Sequence, residues 1–128
     1  MRLLLDTHTL AWWVLDDPHL SQRARELLAD PDNEIVASAV SAFEMATKHR
    51  LGKWDDIGEF VSGFENAMTA EGFQLLSISP AHAILAGRMP GAHRDPFDRL
   101  LAAQAEIDAM TLVTNDPKFG EFGSETVW

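Results

Sequence analysis

The chain has 128 residues, is 46% hydrophobic, lacks cysteine and carries a formal net charge of −10. That length reads as one domain, residues 1–128, with a real core; the missing cysteines exclude disulfides and thiolate metal sites. The acidic balance excludes a generic basic nucleic-acid binder, unless the acids gather around divalent cations or the few bases share one rim.

Leu3-Leu4-Leu5 before Asp6 is a short buried strand over residues 2–5, too brief for a signal-peptide core or a membrane span. The expectation is therefore a soluble cytoplasmic protein with no membrane partner. Thr7 or Thr9 is expected to cap a helix running to about residue 15, with Leu10, Trp13 and Val14 on one face. Asp16-Asp17-Pro18 breaks it. Ser21 caps a helix over 22–29, residues 30–33 turn, and Ile35 and Val36 mark a strand over 34–37. Ser41 and Glu44 have capping-box spacing, predicting a helix to about residue 50 with Gly52 at its C′ position. Ile57, Phe60, Val61, Phe64 and Met68 predict a single helix from Asp55 or Asp56 to Gly72.

A third strand is expected over 73–78. Ser79-Pro80 opens a helix to about residue 88, and Pro90-Gly91 turns. Asp95-Pro96 then reads as an N-cap followed by a first-position proline, opening a helix to about residue 107 with Asp98 in its first turn. A fourth strand over 110–113 runs into Thr114-Asn115-Asp116-Pro117, and residues 126–128 suit a last short strand.

Short apolar strands alternating with helices predict an α/β fold, with a central parallel sheet of four to five strands flanked by helices. Such sheets bind ligands beyond the carboxyl ends of their strands. Asp6 and Asp116 follow the first and fourth strands, and Glu44 and Asp98 are expected in first turns of helices. If strands one and four are neighbours, these four carboxylates share one cleft. Each also has a plainer reading: Glu44 as half of a capping box, Asp116-Pro117 as a turn, Asp95 and Asp98 as caps. A charge hard against a buried strand, as at Asp6, is costly without a partner. Clustered carboxylates repel one another. Hard cations such as Mg²⁺ or Mn²⁺ relieve that repulsion and suit phosphodiester hydrolysis.

Four segments carry a resemblance: Leu3 to His8; Ser38 to Lys48; Asp95-Pro96-Phe97-Asp98-Arg99-Leu100-Leu101-Ala102-Ala103-Gln104-Ala105; and Leu112 to Phe119. In order and spacing the chain resembles a PIN-domain ribonuclease, specifically the VapC-type toxins of bacterial toxin–antitoxin pairs. The resemblance implies a PIN-like three-layer fold and maps the family's four acids onto Asp6, Glu44, Asp98 and Asp116. It also implies Mg²⁺ or Mn²⁺, endonucleolytic cleavage of structured RNA such as transfer or ribosomal RNA, a homodimer, and inhibition by a cognate antitoxin through which any DNA contact would run.

On this reading Asp6, Asp98 and Asp116 hold the metal directly or through water, and Glu44 orients the attacking water. Thr7, Asp95, Thr114 and Asn115 are expected to support the carboxylates or meet substrate phosphate. Lys48, Arg50 and Arg99 are the expected RNA-positioning cations, although cations at helix ends are also ordinary solvated groups. The five histidines show no metal-ligand spacing and read as surface or structural, with His8 and His93 near the cleft. Trp12, Trp13, Trp54, Phe60 and Phe64 are numerous for a small domain; some must be core, adjacent Trp12 and Trp13 cannot both point inward, and an exposed aromatic patch would suit a dimer or an antitoxin helix. Two alternatives compete. A haloacid-dehalogenase-type phosphatase would use Asp6 as nucleophile, but wants a second Asp where His8 stands. A catalytically silent module binding RNA or protein would not need the acids.

Overall fold

The computed structural model describes residues 1–91 and 94–128; His93 falls outside them. Among the described residues, five parallel strands form one sheet: β1 (Arg2–Leu5), β2 (Glu34–Ser38), β3 (Gln74–Leu76), β4 (Thr111–Val113) and β5 (Thr126–Val127). Their order is β3-β2-β1-β4-β5. The helices are α1 (Thr7–Val14), α2 (Gln22–Ala29), α3 (Ala39–Arg50), α4 (Gly58–Ser62), α5 (Phe64–Glu71), α6 (Pro80–Arg88) and α7 (Pro96–Ile107). This is the three-layer α/β arrangement expected. No helix among the described residues is long and apolar enough to cross a membrane.

β1 is the central strand, and Leu3, Leu4 and Leu5 are all fully buried. Alternation along the strand sends them to opposite faces. Leu3 and Leu5 join Leu10, Ala24, Leu28, Met45, Phe64 and Met68 on one side. Leu4 joins Val36, Leu101, Ala102, Ala105 and Phe119 on the other. Burial on both faces is why β1 reads as an unbroken apolar run. The small residues of α7 let its backbone approach the sheet closely.

A buried polar network ties α6 and α7 to the sheet. Gln104, fully buried, accepts from the Ser38 hydroxyl at 2.6 Å and donates to the Ser77 carbonyl at 3.3 Å. His82 completes a capping box with Ser79, and its Nε2 lies 2.7 Å from the Asp108 carboxylate.

Several local expectations are corrected. Asp6 itself caps α1, accepting from Thr9 N, so neither Thr7 nor Thr9 is the cap. Ser38 at the end of β2 caps α3 by accepting from Val40 N, which leaves Ser41 inside the helix and Glu44 in its second turn rather than its first. The capping box read from Ser41 and Glu44 does not form. The single helix expected from Asp55 to Gly72 is broken into a 3-10 turn (Asp55–Ile57), α4 and α5. Gly63 interrupts it outside helical geometry (φ −111°, ψ 26°), as a residue of low helix propensity allows. A Cβ at Gly58 would meet the His49 ring at 2.6 Å, so a larger residue there would push that exposed side chain aside. β3 and β4 are shorter than expected, β3 being an exposed edge strand.

Candidate active site

The chain leaves β1 in one direction across the sheet, to β2 and β3, and returns on the other side as β4 and β5. The point between β1 and β4, where strand order reverses, is where a crevice opens in such sheets. Leu5 pairs with Val113 there, so the next residues of both strands emerge side by side.

Asp6 is the first residue beyond β1 and only 6% exposed. One carboxylate oxygen accepts from Thr9 N at 2.7 Å and the other from the Thr114 hydroxyl. Burial pushes its pKa above the usual 3.8; the hydrogen bonds from Thr114 and Thr9 pull it back only in part. The same Thr114 oxygen accepts from Asp116 N at 3.0 Å. One hydroxyl therefore joins the ends of β1 and β4. Asp116 caps a 3-10 turn (Pro117–Phe122) by accepting from Lys118 N at 3.0 Å.

Glu44 is buried and paired with Lys48 one helical turn on. Thr7 and Ser41 share a hydroxyl hydrogen bond at 3.1 Å that ties α1 to α3. Asp95 caps α7, accepting from Phe97 N at 2.9 Å and Asp98 N at 3.3 Å, and Asp98 stands half-buried in the first turn.

These residues meet. A single cleft of about 470 Å³ is lined by Asp6, Thr7, Glu44, Lys48, Asp95, Asp98, Asn115 and Asp116, together with His8, Trp12, Pro117 and Lys118. Thr114 stands buried behind Asp6. Among the described residues, no three His, Asp or Glu side chains converge closely enough to form a direct coordination cage. The donors are carboxylate oxygens lining a cleft, with Asp6 and Glu44 buried and Asp95 and Asp98 half-buried. That fits Mg²⁺, which is usually held through one or two carboxylates and keeps several waters.

Two of the expected cations do not line the cleft. Arg50 is exposed at the end of α3. Arg99 donates through Nε to the Ala86 carbonyl at 2.8 Å and through Nη2 to the Met89 carbonyl, and its guanidinium lies 5.8 Å from the Phe122 ring. The last carbonyls of a helix lack internal partners, and α7 supplies one to the end of α6. Lys118 and Trp12 line the cleft unanticipated; Lys118 is brought back by the 3-10 turn after Asp116. Of the five aromatics divided between core and patch, Phe64 is buried and Trp12, Trp13, Trp54 and Phe60 are half-buried; among the described residues the exposed Phe is Phe43, edge-on to Phe97 at 5.3 Å.

A match to the PIN domain family spans residues 3–124, taking in every acid of the cleft. The chain belongs to the PIN-domain family. Ribonuclease VapC22 of Mycobacterium tuberculosis is 30% identical over 115 residues, which cover 89% of this chain and 86% of that relative. Among solved structures, the complex VapBC2 from Rickettsia felis, bound to a DNA fragment from their promoter, matches with a TM-score of 0.71 at 20% identity, over 100% of this chain and 99% of that one. VapC20 of Mycobacterium tuberculosis, a sarcin-ricin loop cleaving toxin, matches with a TM-score of 0.65 at 13% identity, covering 95% of each. At those identities the two structures speak for the fold. This PIN domain thus carries its acids at the switch point of the sheet its structural relatives share.

Proposed function

We propose that this PIN domain is a divalent-cation-dependent endoribonuclease and the toxin of a toxin–antitoxin pair. The observation that carries the reading is that Asp6, Glu44, Asp98 and Asp116, from four distant segments, line one cleft. The relation to Ribonuclease VapC22 supports RNA as the substrate, and the sarcin-ricin loop cut by VapC20 supports a structured one.

Asp6, Asp98 and Asp116 would hold Mg²⁺ or Mn²⁺, directly or through water. Such an ion, when bound, neutralises charge at the phosphate and makes water a better nucleophile at neutral pH. The chain's own groups do the positioning. Thr114 fixes the Asp6 carboxylate and the Asp116 backbone together. Glu44, held by Lys48, orients the attacking water and takes up its proton. Lys48 and Lys118 stand where a phosphate would pass. Thr7 and Asn115 stand beside them to meet it.

The partner is a cognate antitoxin, as in the VapBC2 complex. With a net charge of −10 the chain contacts DNA only through it. A basic side chain offered by the antitoxin among the acids would displace the cation. A homodimer is the assembly that goes with this reading. The phosphatase alternative lacks support, because the residue two beyond Asp6 is His8, stacked on Trp54.

The deciding experiment is incubation of the purified chain with total RNA and Mg²⁺ or Mn²⁺, followed by sequencing of the new ends. Discrete cuts that vanish with EDTA, and fall roughly a hundredfold or more in Asp98→Asn, are expected. Cleavage at full rate by Asp98→Asn would overturn the assignment.

A further inference from the structure

One side of the acidic cleft is a wall of rings. His8 and Trp12 both line the cleft. The His8 ring is stacked on Trp54, with centroids 5.0 Å and planes 20° apart, and tilted against Trp12 at 5.8 Å. Trp12 is in turn stacked on His19 at 5.3 Å and edge-on to Trp128 at 5.8 Å. Trp12, Trp54 and Trp128 are half-buried and pack against the core, whereas His8 is exposed. His8 and Trp12 are the rings that line the cleft, and Trp54 and Trp128, outside its lining, brace them. Lys48 stands 6.0 Å from the Trp54 ring, at the corner where the wall meets Glu44.

The chemistry of the wall differs from that of the floor. The acids repel a bare phosphate, and the lysines lining the cleft are Lys48, already paired with Glu44, and Lys118. Two lysines against five carboxylates cannot supply the affinity that basic nucleic-acid binders draw from phosphates. Aromatic rings can, because every nucleobase has a π-face and stacking is indifferent to sequence. Only a base whose own faces are free can use them, which selects loops, bulges and ends over duplex.

We propose that the His8–Trp12–Trp54 wall seats one unpaired nucleobase of the RNA, adjacent to the phosphate presented to the acids. The inference rests on the ribonuclease reading and adds the feature of the substrate that this site selects: an unstacked base beside the scissile bond. Affinity then comes from ring contact more than from charge, and binding loses little between low and moderate salt.

The test pairs a change in the protein with a change in the RNA. Fluorescein-labelled oligo(rA)₁₀ and a backbone-matched abasic decamer are titrated against the full chain in an Asp98→Asn background with Mg²⁺, which leaves the strand uncut. The stacked base is expected to make oligo(rA)₁₀ bind on the order of tenfold tighter than the abasic strand. His8→Ala should shrink that ratio to about threefold or less, and His8→Phe, which keeps a ring and loses the imidazole, should restore it. His8 is exposed, so both variants should retain the parent melting temperature, and the abasic strand probes the wall with no protein change at all. A base preference that His8→Ala leaves untouched, or equal binding of the two strands, overturns the wall as a base site. If the wild-type chain still cuts RNA, the ribonuclease reading survives that result. A wild-type chain that neither binds oligo(rA)₁₀ nor cuts RNA ends both.

Discussion

Asp6 is the residue at which the demands of folding and of function diverge. It is a buried carboxylate at the end of the central strand, and its pKa is raised because desolvation outweighs the hydrogen bonds from Thr114 and Thr9. A carboxyl whose folded pKa exceeds its unfolded value costs stability. Below pH 3.8 both states hold the proton and the cost is nil. The cost grows as pH rises above 3.8 and is complete once pH has passed the raised folded pKa. Asn keeps the acceptor for Thr9 N and is an equally good N-cap. Asp6→Asn should therefore melt higher than the parent at pH 7 without added metal, with the gap closing toward pH 3, while RNA cleavage is lost. Thermal melts across that pH range check it; an Asn variant that melts lower at pH 7 would show the charge to be compensated. Thr114→Val keeps the shape and removes the hydroxyl that serves both Asp6 and Asp116 N. A hydrogen bond to a charged group is worth about 1.5–3 kcal/mol. A loss of that order in chemical denaturation, with slower cleavage, is expected.

At the scale of elements, α7 shows what local sequence can and cannot say. Its start was legible because Asp95 and Pro96 act within one turn, as were Ser21 for α2 and Ser79-Pro80 for α6. Boundaries set by distant pairing were not. Ser38 caps α3 because β2 is held to β3 as far as Ser38 opposite Leu76, and no local signal distinguishes it from Ser41. The site divides the same way. Asp6, Asp95, Asp98 and Asp116 were legible because each lies at or next to the start of an element, whereas Glu44 sits in the second turn of α3 and the capping box that marked it does not form. The ring wall, Lys118 in the cleft and the diversion of Arg99 to α6 depend on which helices pack together. α7 also separates a cap from a ligand. Asp95→Ser preserves the cap and removes the charge, so it should retain stability and most cleavage, whereas Asp95→Ala should cost about 1 kcal/mol. A Ser variant as inactive as Asp98→Asn would make Asp95 part of the metal site. The far end of α7 closes in a Schellman turn, with Met110 N bonded to the Ala105 carbonyl and Ala109 N to that of Glu106. Its left-handed residue is Ala109, at φ +53°. Ala109→Gly should stabilise the fold by about 0.5–1 kcal/mol, since glycine carries no Cβ penalty there.

For the molecule as a whole, the distribution of charge decides what the fold is for. The net charge of −10 is not spread evenly, because Asp6, Glu44, Asp95, Asp98 and Asp116 share one cleft with two lysines. Repulsion among them opposes folding, and screening by monovalent salt relieves it only weakly where side chains are buried. A divalent cation that binds the native cleft and not the unfolded chain stabilises by mass action, about 2.7 kcal/mol at a hundred times its dissociation constant. For a chain of this size that is a rise in melting temperature on the order of 10 °C. Mg²⁺ or Mn²⁺ should produce that rise, EDTA should reverse it, and NaCl at equal ionic strength should not reproduce it. Glu65→Gln removes the same unit of charge from an exposed position on α5, outside the cleft, and should keep the full shift. Asp98→Asn should lose most of it. Equal shifts in the two variants would mean that the cation answers to overall charge, and the cleft would then have no claim to be a metal site.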